Sequence, residues 1–191
     1  MRKANKAMHP SRRSAVNLNH SFWRRLGDRR RYALEVPMKK STPETYAAEV
    51  KRNIKKYGFH LTFVSADEKP SFCYSTGVYE SSAIPELFIS SLPPGMSGEL
   101  VHSYIKRFKN TTPPIGERVK KLRNDPFDYF LINVDLTMIR DYVLGSFKYY
   151  GSAKFEYLQL VFPDADLRFP HEAGYDYDQE LLGDYSQIKT A

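Results

Sequence analysis

Few side chains in this sequence are suited to chemistry. Cys73 is the only cysteine. A cysteine nucleophile needs its thiolate in hydrogen-bond reach of an imidazole, and His60 or His171 would have to supply one. Nothing in the spacing enforces that pairing. A cysteine inside the aromatic run Phe72-Cys73-Tyr74 reads more simply as a small buried hydrophobe. His60, His102 and His171 could share a metal with Glu86, Asp164 or Asp166. No close ligand pair of the His-x-x-x-His kind occurs, so these histidines read as surface or capping residues. No metal and no other cofactor is implied.

The densest polar group lies between fixed prolines, from Pro163 to Glu172. Asp164 and Glu172 could act as acid and base there, with Arg168 as an anion contact. The plainer reading is a turn-rich loop whose Asp side chains bond their own backbone and whose Arg pairs locally. Any pocket is expected here, near the segment from Gln159 to Glu172. Its candidate catalytic residues are Glu86, Asp164 and His171, and its candidate lining is Tyr74, Thr76, Gln159, Arg168 and Glu172. Gln159 stands in an apolar strand, where a buried amide needs partners. Phosphate-binding loops of the GxxxxGK[ST] and GxGxxG kinds are absent. Ser75-Thr76-Gly77 lacks the preceding glycine of a nucleophile elbow. Nucleotide hydrolysis and serine hydrolysis are thereby disfavoured.

Positive charge is the other chemical feature, and it is unevenly placed. Residues 1–40 carry twelve Lys and Arg against Asp28 and Glu35, a balance of +10; residues 41–191 carry 17 basic and 20 acidic side chains, a balance of −3. The overall +7 therefore speaks for the first forty residues alone. Arg24, Arg25, Arg29, Arg30 and Arg31 alternate with Phe22, Trp23 and Tyr32, a pattern that can contact phosphates and stack on unpaired bases. Nucleic acid is thus a candidate partner of this segment, whose plainer reading is a solvated, largely disordered tail. Its composition also fits a mitochondrial presequence, which basic tails of soluble proteins resemble. Met38 is an alternative start that would remove the tail. One cysteine excludes an internal disulfide framework and fits the cytoplasm. No run of about eighteen apolar residues predicts a membrane-spanning helix.

The remainder, residues 41–191, suits a single domain. Thr42, Pro43 and Glu44 predict a helix start, Tyr46, Val50, Ile54 and Tyr57 its inner face, and Gly58 its left-handed cap. Strands are expected over 59–65, 71–79 and 86–92, with a bulge or a close backbone approach at Gly77. A second helix follows, capped by Ser97 and turning Leu100, Val101, Tyr104, Ile105 and Phe108 inward. A short edge strand is expected over 117–122 and a stronger strand over 127–134. A third helix carries Ile139, Val143, Phe147 and Tyr150 on one stripe, and a last strand spans 157–162. From Pro163 the chain reads as an extended segment wrapping the surface. Short turns between strands favour antiparallel pairing. The expected fold is α+β, a mainly antiparallel sheet of five to six strands with three helices over one face.

Several stretches, in order from Val50 to Leu182, resemble a bacterial family known as domain of unknown function 4262. They are Ile54-Lys55-Lys56-Tyr57-Gly58-Phe59-His60, Phe72-Cys73-Tyr74-Ser75-Thr76-Gly77-Val78, and Pro85-Glu86-Leu87 leading to Leu92-Pro93. The most specific is Leu158-Gln159-Leu160-Val161-Phe162-Pro163-Asp164, followed by Arg168-Phe169-Pro170 and Gly174-Tyr175-Asp176. The chain departs from the family pattern at Ile84, where relatives show His, and at Phe162 and His171, where they show Trp. The resemblance implies domain limits rather than an activity. The reading is a cytoplasmic binding or interaction domain, leaning away from an enzyme, with another protein as the expected partner and no membrane. The alternatives are a small hydrolase-like enzyme around Gln159 to Glu172, and nucleic-acid contact through the tail.

Overall fold

Thr42 opens the first helix as its neighbours dictate. Its Oγ1 accepts the Thr45 amide, Pro43 takes the first turn, and Glu44 meets the positive end of the helix dipole. This helix, α1 (Pro43–Tyr57), ends at Gly58, whose φ of 84° is left-handed and whose amide reaches Ile54 O at 2.8 Å. Val50 is buried beneath it, whereas Tyr57, expected on the inner face, is 60% exposed. The computed structural model describes residues 42–65 and 70–189. The basic segment 1–40, with its expected disorder, lies outside the described residues.

The described elements continue as β1 (His60–Val64), β2 (Phe72–Thr76), α2 (Val78–Ser82), β3 (Glu86–Ser90), α3 (Pro94–Phe108), β4 (Phe130–Val134), α4 (Leu136–Ile139), α5 (Leu144–Tyr150), β5 (Tyr157–Val161) and a 3-10 turn (Tyr185–Gln187). The five strands form one sheet in the order β1-β2-β3-β5-β4. β1 with β2, β2 with β3, and β4 with β5 are antiparallel; β3 and β5 run parallel, with Glu86 beside Tyr157. The sheet is therefore mixed, correcting the mainly antiparallel expectation. The short connections do give antiparallel neighbours. β5, arriving after α3, β4, α4 and α5, is inserted between β3 and β4, and a long crossover permits a parallel pairing.

Alternation along each strand divides the side chains between two faces. On one face Leu87, Ile89, Leu131, Leu158 and Leu160 meet Leu100, Val101, Tyr104 and Phe108 of α3. On the other, Phe72, Tyr74, Phe88, Val134 and Tyr157 meet Ile139 of α4, Val143 just ahead of α5, and Phe147 and Tyr150 of α5. α1 shares this second face, since its Tyr46 bonds Thr62. The C-terminal segment completes it, with Phe169, Leu181, Tyr185 and Ile188 against Phe130, Ile132 and Val161. Helices thus cover both faces, not one, and number five among the described residues rather than three.

The differences are local. Residues 78–82 form a helical turn where a strand was expected to continue. Gly77, with φ of 99°, starts that turn, and a Cβ there would lie 2.8 Å from the Ile54 side chain. The single third helix is two. Asp135 caps α4 through the Thr137 amide, and Val143 leaves helical geometry before α5 begins. Residues 117–122 contribute only one bridge, Val119 to Tyr129. Ser97 lies inside α3, which begins three residues earlier at Pro94. No helix among the described residues is long and apolar enough to cross a membrane.

Candidate functional site

Three polar assemblies stand around the sheet, and each has a different character. The first surrounds Glu86, fully buried at the start of β3. One oxygen accepts from the Gly77 amide at 2.7 Å, the Tyr79 amide at 3.0 Å and the Tyr150 hydroxyl; the other accepts from Ser75 Oγ. Ser75 Oγ in turn accepts the Leu87 amide at 2.8 Å. No cation joins this group among the described residues. Burial raises the Glu86 carboxyl above its ordinary range, and the four donors pull the other way. Alongside, Ser146 Oγ of α5 lies 2.6 Å from Thr76 Oγ1 and 2.7 Å from the Tyr157 hydroxyl, which donates to Ser75 O at 2.8 Å. These bonds fasten α5 and the β2–α2 turn to the sheet.

The second assembly is the loop after β5. Asp164 is 2% exposed. Its Oδ1 accepts the Asp166 and Arg168 amides, both at 2.9 Å, and its Oδ2 accepts the Asp176 amide at 3.1 Å. Arg168 pairs with Asp166 and lies 3.5 Å from Asp164. Glu172 accepts the Phe169 amide, and the His171 ring stacks on Phe169. These side chains bond within their own loop. Gln159 uses both ends of its amide to hold the C-terminal segment. Its Nε2 donates to Glu180 O at 2.6 Å, and its Oε1 accepts the Leu182 and Gly183 amides at 2.8 and 3.0 Å.

The candidate catalytic residues are not brought together. Asp164 and His171 share one loop. Glu86 is beside Tyr157 at the start of β5 in the parallel register, whereas Asp164 lies in the loop beyond the far end of that strand. Of the candidate lining, Tyr74 and Thr76 are on β2, Gln159 lies under the C-terminal segment, and Arg168 and Glu172 belong to the Asp164 loop. Cys73 is 2% exposed, and burial pushes its thiol up to about 12. It faces α3, whereas His60, paired with Thr76, is on the other face. His60 Nδ1 accepts from Asn53 Nδ2 at 2.9 Å, and burial lowers its pKa. Among the described residues no His, Cys, Asp or Glu side chains group as metal ligands would. Arg24, Arg25, Arg29, Arg30 and Arg31 lie outside the described residues.

The third assembly was not foreseen from sequence, apart from Tyr74. Between α1 and α5 a cleft of about 240 Å³ opens, lined by Tyr46, Val50, Lys51, Thr62, Tyr74 and Lys148, among others. Tyr46 and Thr62 hydroxyls are 2.5 Å apart, Tyr46 also bonds Tyr74, and the Gly145 amide donates to Tyr74 Oη at 3.2 Å. Gly145 makes the approach possible: a Cβ there would lie 2.7 Å from the Tyr74 hydroxyl and 3.3 Å from that of Tyr46. The one visible signal was the pair Gly145-Ser146, two small residues interrupting an aromatic helix. A second, wider cleft of about 450 Å³ is lined by Tyr79, Ile84, Thr111, Asn133 and Glu156, among others. Ile84 is on its wall and packs into the α3-side core.

A sequence profile described as Domain of unknown function (DUF4262) matches residues 53–176, and the chain belongs to that family. No curated protein and no solved structure matches the chain. The matched span holds the whole Glu86 assembly, the Asp164 loop and, except for Tyr46 and its neighbours on α1, the wall of the cleft.

Proposed function

We propose that the domain is a binding module that holds a small ligand in the cleft between α1 and α5. The observation that carries this reading is the convergence on Gly145. The hydroxyls of Tyr46 on α1 and Tyr74 on β2 meet at Gly145, where α5 carries no side chain, that of Thr62 on β1 joins them through Tyr46, and the space beside them stays open. Pockets with an apolar wall and a few convergent polar groups are the usual form of small-molecule sites. Leu144 on the rim is 54% exposed, which suits a ligand that covers apolar surface. The other two assemblies spend their polar groups on holding the fold. Mixtures of small metabolites screened by thermal shift test the reading: a stabilising hit is expected to lose its effect in Ala47→Trp, which fills the cleft from an exposed position on α1. Hits that stabilise both proteins equally would refute it.

A protein partner is the second reading, favoured by β1. It is an edge strand with no charge and no proline within His-Leu-Thr-Phe-Val, and four of its five residues are half-buried rather than covered. Such an edge is a template for another extended chain. Hydrogen exchange on the amides of residues 60–64 should slow when that partner is added; unchanged exchange removes this reading.

A further inference from the structure

We propose that the ligand of the α1–α5 cleft is a small aromatic acid, a single ring bearing a carboxylate. This rests on the reading of the cleft as a binding site and adds the chemistry of what fills it. Hydrogen-bond bookkeeping comes first. Thr62, Tyr46 and Tyr74 form one chain of hydroxyls that ends where the Gly145 amide donates to Tyr74. Each hydroxyl has one proton to give. Two bonds within the chain use two of the three, which leaves one O–H without an acceptor in the chain and free for a ligand. The Tyr149 hydroxyl is already committed to Glu80 at 2.7 Å. Burial keeps Tyr46 protonated, so the chain stays a donor across the physiological range.

Charge points the same way. Lys51 and Lys148 line the cleft from opposite helices. Neither has an acidic partner among the described residues, although residues 41–191 as a whole carry a balance of −3. No Asp or Glu lines the cleft. Glu49, the carboxylate whose field reaches Tyr46, is on α1 outside the lining. A surplus donor, two ammonium groups without an acidic partner among the described residues, and a lining free of carboxylates fit an anion.

Size and wall set the rest. About 240 Å³ exceeds the roughly 150 Å³ that accommodates benzene and falls short of the roughly 300 Å³ where drug-sized pockets begin. The rings of Tyr46, Tyr74 and Tyr149 and the side chains of Val50 and Leu144 give a flat ring apolar surface to lie against.

Benzoate and its neutral counterpart benzyl alcohol, titrated into the full chain and followed by NMR shifts of cleft residues, test the assignment. Benzoate is expected to saturate near about 1 mM or below, and benzyl alcohol to bind about tenfold more weakly. The double variant Lys51→Gln/Lys148→Gln, both exposed positions, should weaken benzoate about tenfold and leave benzyl alcohol unchanged. Equal binding of the two probes, or an unaffected double variant, overturns the acid assignment while the cleft reading stands. Shifts that persist in Ala47→Trp, or no saturation by either probe, also overturn the aromatic-acid assignment, and the metabolite screen against Ala47→Trp decides the cleft reading separately. Melting curves of the variants confirm that each is folded.

Discussion

The two faces of the sheet solve different problems. Toward α3, the sheet offers Leu87, Ile89, Leu131, Leu158 and Leu160, and the helix answers with Leu100, Val101, Tyr104 and Phe108. Burial there is non-directional and needs only shape and volume. Toward α1, α4 and α5, the same strands present Glu86, Thr76, Tyr157 and Gln159, and every one is tied to a named donor or acceptor. The first face supplies cohesion. The second fixes positions, because a buried polar group tolerates only the geometry that satisfies it. The α1–α5 cleft lies on the face that fixes positions, whereas the wider cleft beside Ile84 borders the apolar face.

Truncation on the polar face should have the largest effect. Glu86→Ala leaves Gly77 N, Tyr79 N, Ser75 Oγ and Tyr150 Oη without their acceptor, and the expected loss is about 4 kcal/mol by urea unfolding. Leu160→Ala on the apolar face should cost about 3 kcal/mol. Rescue separates the two: Leu160→Met should restore stability to within about 1.5 kcal/mol through volume alone, and Glu86→Gln should restore it by keeping an acceptor. If Glu86→Leu rescued as well as Glu86→Gln, the polar face would be no different in kind from the other.

A more local effect is expected at Gln159→Leu. It deprives Leu182 N and Gly183 N of their acceptor, at about 2 kcal/mol. Because those bonds hold the C-terminal segment, limited proteolysis should cut after residue 175 faster than in the parent chain while the remainder stays resistant. Uniform cleavage would show that the segment is not separately held.

The smallest effects are in pH, with opposite signs for two buried groups. Glu86 is raised above 4.5 in the fold, so the folded state binds its proton more tightly, and stability falls as pH rises from 4.5 through the folded value. His60 is lowered below 6.5, so its contribution is present above 6.5 and lost as pH falls through the folded value. Unfolding midpoints between pH 4.5 and 7.5 should change slope in Glu86→Gln and in His60→Gln, each in the direction that removes its own term. Parallel profiles for all three proteins would contradict this assignment.

What was legible in the sequence follows the range of each signal. The first helix could be read to the residue at both ends, because Thr42, Pro43 and Gly58 act on their own backbone. The Asp164 loop followed its plain reading for the same reason, its carboxylate bonding amides two and four residues on. The parallel pairing of β3 with β5 had no local signature, since seventy residues separate Glu86 from Tyr157. Tyr150 matched an apolar stripe, yet its hydroxyl serves Glu86. Tyr46, Thr62, Tyr74 and Gly145 come from four elements, and no spacing along the chain announces that they meet.

The insertion of β5 also bears on synthesis. Until residues 157–161 have left the ribosome, β4 has no neighbour of its own among the strands, and β1, β2 and β3 end in an open edge at β3. The strand made last is the one that joins the two parts, so the sheet closes late and through contacts distant in sequence. A nascent chain stopped short of Tyr157 exposes the edges of β3 and β4 together, which makes this interval the one in which a chaperone has most to protect.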